Sequence, residues 1–434
     1  MAKLLLKGET TKGQNGPILK KVYLRIVVQK KKINFDLFNS KAHSGVASKN
    51  ATLKKSIIKK IDRKSHCTIT ELSKELNTSV PKTTTLITSL VENGFIQDEG
   101  KLDSTGGRKA SVFGLAPDAC HFIGVSVSRF HIDFGVMNFK KGMNTPVHQV
   151  NYKFENTAEA LDQLIEEIGK FLKGLENENL NVKGIGIAMP GRTNTKIGKT
   201  LSYFNFTDEP LKDILQRAFK IPVFIENDSR AMVFAEMNVG DSINEKNLVF
   251  VNIDYGIGIG IIIDGKTYYG KSGYSGELGH IPLFDNEIIC ICGKKGCFET
   301  EASGFALKRK FKDKLKSGSS SSVLKHKKIE DIQLSDIVYA AKHEDMLAIE
   351  LLAEVGEKFG KGLAVLINIF NPETLIIGGA LAETGDYIRL PARSVLNKFS
   401  SALVNNDTTL RLSKLGEHAG VIGACLIARS RVIF

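Results

Sequence analysis

The chain has 434 residues, 42% of them hydrophobic and 25% charged, a globular composition with room for two or three domains. No run of 18 apolar residues occurs, which excludes a membrane-spanning helix. The three-leucine run at the start is too short for a secretory signal, so a cytoplasmic protein is expected.

The net charge of +13 lies at one end: residues 1–110 hold 22 Lys and Arg against 9 Asp and Glu, and the remainder holds 38 of each. Such asymmetry points to a basic module for an anionic polymer, joined to a neutral body. Residues 1–50 show little periodicity and read as a basic arm or extension. The cluster Lys30-Lys31-Lys32 and the tract AHSGVASKNA suit an arm or linker. From 51 to 115 the pattern is that of a winged helix-turn-helix. Leu53, Ile57, Ile58 and Ile61 recur at helical spacing. Thr68 and Glu71 fit a capping box that opens a short helix through Leu72 and Leu76. A turn at Asn77-Thr78 follows, and then Ser79 caps a second helix that tolerates Pro81 in its first turn. This helix is expected to bury Leu86, Leu90 and Val91 and to end at Asn93-Gly94. GFIQDEGKLDSTGGRKASVFGLA then reads as a hairpin wing carrying Arg108 and Lys109. Ser79, Lys82, Thr83, Thr84, Thr85 and Thr88 are placed at the start and along the outer face of the recognition helix. Their hydroxyls and one ammonium suit phosphates and base edges of double-stranded DNA.

The body alternates strands and helices, an α/β pattern. FIGVSVSRFHIDFGVMNF and LVFVNIDYGIGIGIIIDGKTYYG read as two similar hairpins, each opening a lobe. The lobes are bounded at 116–238 and 239–434, with a cleft between them and a C-terminal helix returning to the first. KRKFKDKLKSGSSSSVLKHKKIED (308–331) reads as an exposed basic loop between helices. Asp228 stands where a helix N-cap before SRAMVFAE is expected.

Three of the six cysteines fall within eight residues, in CICGKKGC. With His280 ahead of Cys290, Cys292 and Cys297, one imidazole and three thiolates match a closed tetrahedral zinc site. No Cys-x-x-Cys pair is present, which weakens a redox reading. A four-ligand site has no open position for catalysis, so Zn2+ there would hold shape in the loop bearing Glu277, His280 and Glu299.

GELGH followed by CICGKKGCFE resembles the zinc signature of the ROK family (repressors, open reading frames, kinases). GIGIAMPG, ENDSRAMVFAE and NPETLIIGGAL resemble its Pro-Gly, Glu-Asn-Asp and adenosine-side motifs. The winged helix ahead of the body resembles the repressor branch, of the NagC, Mlc and xylose-repressor type. The resemblance implies an actin-like, two-lobed sugar-kinase fold with ribonuclease H-like lobes. It also implies a sugar site of Asn205, Asn227, Asp228, Glu277, His280 and Glu299, in which Asp228 matches the kinases' general base. The kinases carry Asp-x-Gly-Gly-Thr in the first hairpin; this chain has Ser126, Val127, Ser128, Arg129 and Phe130. The second hairpin's Gly-Thr-Gly is replaced by Asp254, Tyr255 and Gly256. Both phosphate loops depart from the kinase pattern. The expected protein is a DNA-binding regulator, homodimeric or homotetrameric, released from its operator by a sugar or sugar derivative. The alternative is an ATP-dependent hexose or N-acetylhexosamine kinase.

Overall fold

The structure, a computed structural model, describes Phe35 and residues 45–101, 110–178 and 180–434. The chain divides into two compact units, Met1–Ala119 and Cys120–Phe434. Arg108, Lys109 and most of 1–50 lie outside the described residues.

The first unit runs α1 (Gly45–Lys64), β1 (His66–Thr68), α2 (Ile69–Glu75), α3 (Val80–Glu92), β2 (Ile96–Lys101) and β3 (Ser111–Leu115). Its antiparallel sheet has the order β1-β3-β2. The capping box forms: Thr68 Oγ1 accepts from Glu71 N, and the Glu71 carboxylate accepts from Thr68 N. Ser79 caps α3 by accepting from Lys82 N. The core is Ile57, Ile58 and Ile61 of α1, Leu72 of α2, and Leu86, Ile87 and Leu90 of α3. Two expectations change. The tract 45–50 is the first turns of α1 rather than linker, because Ala51 is already buried and anchors the helix one turn earlier. On α3, Ile87 takes the buried place expected of Val91, which is 38% exposed. Thr83, Leu86, Ile87 and Leu90 keep the i, i+3, i+4, i+7 stripe, and Val91 falls outside it.

The second unit repeats one topology twice. The first lobe contains β4 (His121–Val127), β5 (His131–Asn138), β6 (His148–Asn151), α4 (Ala158–Gly174) and β7 (Val182–Met189). It continues through a ribbon of β8 (Thr193–Asn194) and β9 (Lys199–Thr200), then α5 (Leu211–Phe219), β10 (Val223–Asn227) and α6 (Asp228–Val239). The second contains β11 (Leu248–Ile253), β12 (Ile257–Ile263), β13 (Lys266–Thr267), α7 (Glu299–Ala302), α8 (Gly304–Lys316), α9 (Leu334–Lys342) and α10 (Met346–Phe370). It closes with β14 (Thr374–Gly378), α11 (Asp386–Phe399), α12 (Ala402–Asp407), β15 (Thr409–Leu412) and α13 (Ala419–Ile433). The sheets are ordered β10-β7-β4-β5-β6 and β13-β12-β11-β14-β15. In each, the first strand is central. An antiparallel hairpin extends to one side (β4 with β5, β11 with β12), and parallel strands lie on the other (β7, β14).

The segment expected as a loop at 308–331 begins as helix. Leu307, Phe311 and Leu315 recur every fourth residue, are buried, and carry α8 through Lys316, while the lysines take its other faces. No helix among the described residues is long and apolar enough to cross a membrane.

Two helices fill the space between the sheets. α6 lies on the second-lobe sheet, and α13 returns to the first-lobe sheet, buried along most of its length. The contacts are backbone to backbone. A Cβ at Gly186 of β7 would meet Ala424 O at 1.9 Å, and one at Gly124 of β4 would meet Val421 O at 2.2 Å. Glycine is required at both places by close approach. Gly186→Ala should therefore destabilise the fold by about 2 kcal/mol or more, read as a lower urea midpoint. Gly174→Ala, where a Cβ meets nothing within 4 Å, should change stability by less than about 0.5 kcal/mol.

Candidate functional site

The floor of the cleft forms where β10 runs into α6. Asn227 is extended (φ −68°, ψ 143°), and its side-chain oxygen accepts from Arg230 N at 3.1 Å. Asn227 is therefore the cap and Asp228 the first helical residue, one position later than expected. That frees the half-buried Asp228 from the capping role. Its Oδ1 accepts from Ser229 N at 2.6 Å, Asn227 Nδ2 at 2.9 Å and Ser229 Oγ at 3.1 Å. Burial pushes the Asp228 carboxyl up to about 6, and Asp254 across the cleft adds to this, against the bonds from Ser229.

Glu226 at the end of β10 and Arg230 in the first turn of α6 are 2% and 4% exposed and pair at 2.7 Å. The other guanidinium nitrogens donate to Gly273 O at 3.0 Å and Thr193 O at 3.2 Å. Glu226 also accepts from Thr195 Oγ1, Asn227 N and Tyr269 OH at 2.9–3.1 Å. The pair thus ties a first-lobe segment (193–195) to a second-lobe segment (269–273). Motif reading passed over it; the available signal was a Glu and an Arg at i, i+4 within ENDSR.

From that floor the side chains run across the cleft as a chain of contacts. Asn227 Nδ2 donates to Gly191 O at 3.2 Å. The next residue, Arg192, donates from Nε to Glu277 Oε2 at 3.0 Å. The same oxygen lies 3.9 Å from His280 Nε2, and His280 Nδ1 lies 3.4 Å from Glu299 Oε1. Five of the six expected sugar ligands, Asn227, Asp228, Glu277, His280 and Glu299, are joined in this way. Arg192, which motif reading did not select, is the link between its two halves. Asn205 is engaged elsewhere: its amide donates to Leu201 O at 3.1 Å and its oxygen accepts from Asn156 Nδ2 at 2.7 Å.

Behind Glu277 and Glu299 the four expected metal ligands converge. One ligand atom each of His280, Cys290, Cys292 and Cys297 lies within 4.8 Å of all the others. His280 Nδ1 is 3.4 Å from Cys290 Sγ, and the Cys292 and Cys297 sulfurs are 3.5 Å apart. Bonds of about 2.0–2.3 Å in a tetrahedron space their ligand atoms about 3.5 Å apart, so these residues fit a metal ion. Gly293 and Gly296, at φ 83° and 69°, make the turns that fold the thiols inward. Burial pushes the Cys290 thiol up, and its bond to Glu299 adds to this. At Cys292 burial also acts upward, but the Lys294 N–H and the neighbouring thiols outweigh it and hold the group below its ordinary value. A cation would favour the thiolate at all three.

The two lobes also touch at their hairpin turns. Ser128 N donates to His131 O at 2.9 Å, closing the β4–β5 turn. From this turn the Arg129 guanidinium reaches the Tyr255 ring of the β11–β12 turn, 4.3 Å from its centroid. Asp254 accepts from Tyr255 N at 2.6 Å, and burial pushes its carboxyl up.

In the first unit, Ser79, Thr84, Thr85 and Thr88 are exposed on α3 and Lys82 is half-buried. Thr83 is fully buried, its hydroxyl bonded to Thr78 Oγ1 at 2.8 Å and Ser79 O at 3.1 Å. It therefore ties the first turn of α3 to the turn before it and does not face outward, a correction that follows from its place on the core stripe.

Residues 122–431 match the ROK family. The xylose repressor of Caldicellulosiruptor bescii is 30% identical over 367 residues, which is 84% of this chain and 92% of that one. The crystal structure of a ROK family transcriptional regulator, a homologue of the E. coli Mlc protein, superposes with a TM-score of 0.71 at 26% identity, over 85% of this chain and 92% of that one. A ROK family glucokinase from Streptomyces griseus, in complex with glucose and AMPPNP, superposes at 0.63 and 27% identity, over 71% of this chain and 99% of that one.

The lifted Asp228 carboxyl has a consequence for stability. The folded protein holds a proton there that the unfolded chain has released, so the group's cost grows as pH rises from about 4 to about 6 and is complete above that. Asp228→Asn should remove this slope. Stability of the variant relative to wild type should rise between pH 4 and pH 6.5 in urea titrations.

Proposed function

Because this chain belongs to the ROK family, we propose that it is a DNA-binding transcriptional repressor of carbohydrate-utilisation genes, released from its operator when a sugar or sugar derivative enters the interlobe cleft. The observation that carries this reading is a combination in one chain. Helices α2 and α3 with the β2–β3 hairpin precede a body in which Asn227, Asp228, Glu277, His280 and Glu299 are linked by contacts and Arg129 lies on the Tyr255 ring. The similar glucokinase spans 71% of this chain and the similar repressor 84%, so the repressor's match takes in more of the chain than the kinase's.

The DNA side rests on Ser79 at the cap of α3, half-buried Lys82 and exposed Thr84, Thr85 and Thr88, with Arg108 and Lys109 as further phosphate contacts. The sugar side rests on Asn227, Asp228, Glu277, His280 and Glu299. Carboxylates accept from neighbouring hydroxyls, and amides supply the matching donors. Paired half-sites call for a dimer or tetramer. Phosphoryl transfer needs backbone close to phosphate and a positioned metal. The side chains of Arg129 and Tyr255 oppose the first and the Asp254 carboxyl opposes the charge, so the reading is of a non-enzyme. Asp228 is retained, with a carboxyl lifted to about 6, and this is the observation that favours the kinase alternative.

The test begins with an operator selected from random duplex DNA and a mobility shift with the full chain. Free xylose, glucose or N-acetylglucosamine should weaken binding at least about tenfold, and ATP with magnesium should add nothing. Lys82→Ala should weaken binding and lower the salt slope by about one, whereas Thr83→Ala should lower the melting temperature instead. Sugar-dependent consumption of ATP would move the reading to the kinase.

His280, Cys290, Cys292 and Cys297 would hold Zn2+, which supplies charge and rigidity to the loop bearing Glu277 and Glu299. One equivalent of zinc should copurify. Cys292→Ser should lose it and melt at least about 4 °C lower, read by metal analysis and calorimetry.

A further inference from the structure

We infer that Arg192 reads the effector across the cleft together with Glu277, and that the effector selected is an uncharged sugar rather than a sugar phosphate or sugar acid. This rests on the sugar-sensing reading and narrows it.

Arg192 is built into its place. It follows Pro190 and Gly191 at the end of β7; the Gly191 carbonyl accepts from Asn227 Nδ2 at 3.2 Å, and Arg192 N donates to Ser202 Oγ at 3.0 Å. The backbone is therefore held on both sides, and the side chain crosses to the second lobe. There its Nε donates to Glu277 Oε2 at 3.0 Å. Among the described residues this is the side chain's only hydrogen bond, and both partners are open to solvent, 45% and 40% exposed. The Nη hydrogens and Glu277 Oε1 remain for a ligand.

That set has a definite chemistry. An arginine–carboxylate pair presents donors beside an acceptor, so of two neighbouring hydroxyls one accepts from Nη and the other donates to Oε1. The pair is neutral as a unit. Around it stand the carboxylates of Asp228 and Glu299, joined to it by the contacts described above. A phosphate or carboxylate would need a cation of its own. Arg192 is already spent on Glu277, and Arg129 is committed to Tyr255 at the far end. Since the pair joins one lobe to the other, a diol bound to it also holds the lobes together. Effector occupancy and lobe angle are thereby one event.

The experiment is isothermal titration of the full chain with xylose, glucose and N-acetylglucosamine, and with glucose 6-phosphate, N-acetylglucosamine 6-phosphate and glucuronate. Wild type should bind at least one neutral sugar, more tightly than its charged derivative. Arg192→Ala should weaken that sugar about tenfold or more, and Arg192→Lys should recover only part of the loss because an ammonium cannot span both partners. Melting temperature and selected-operator binding in the absence of sugar should stay close to wild type for both variants. Glu277→Gln releases the guanidinium and should shift preference toward the phosphate. Tighter binding of a charged derivative by wild type, or full affinity in Arg192→Ala, would overturn the inference and leave the sugar-sensing reading intact. Failure of wild type to bind any of the six would overturn that reading, and this inference with it.

Discussion

Glu226 and Arg230 sit on either side of the junction of β10 and α6, and both are withdrawn from water. A buried ion pair survives only if its remaining hydrogen-bonding capacity is met, because desolvation costs several kcal/mol per ion. Here the capacity is met by carbonyls from both lobes, Thr193 on one side and Gly273 on the other. The segments that satisfy Arg230 lead directly into the cleft. Thr193 follows Arg192, and Gly273 lies four residues before Glu277. The need to satisfy one guanidinium therefore positions both halves of the cross-cleft pair. It also leaves the next residue, Asn227, to cap α6.

The second constraint is repetition. Two sheets of the same strand order face each other through α6 and α13, and each presents a hairpin turn at one end of the cleft. In a kinase such turns are glycine-rich because phosphate must touch backbone. Here an exposed arginine from one turn lies on a half-buried tyrosine from the other. At the other end the Asp228, Glu277 and Glu299 carboxylates, the Asn227 amide and the His280 imidazole are linked by contacts, and His280 is also part of the His and Cys cluster. Polar side chains thus gather at one end, and an arginine–tyrosine contact joins the turns at the other.

Much of this was legible in residue order. Helical periodicity, the Thr68–Glu71 capping box, the two apolar hairpins and the Cys spacing each depend on neighbours within a few positions, and each formed as read. The misreadings share a cause. Val91, Thr83 and the segment 308–316 were assigned by polarity, but the face a helical residue occupies is set by its phase on the core stripe. Leu307, Phe311 and Leu315 outweigh the lysines between them, and the hydroxyl of Thr83 is buried because its position is.

By itself the sequence determined which short-range units exist and which chemistry they carry: a basic helix-turn-helix, two α/β lobes, a set of soft ligands, and a collection of carboxylates and amides suited to hydroxyls. Those are properties of spacing and side-chain type. Tertiary structure alone decided which of the site residues meet. Arg192 and Glu277 are 85 residues apart, and Arg129 meets Tyr255 only because two separate hairpins turn toward each other. No local pattern encodes such pairings, since they arise from the approach of two lobes whose spacing is set by glycines in β4 and β7 packed against the backbone of α13.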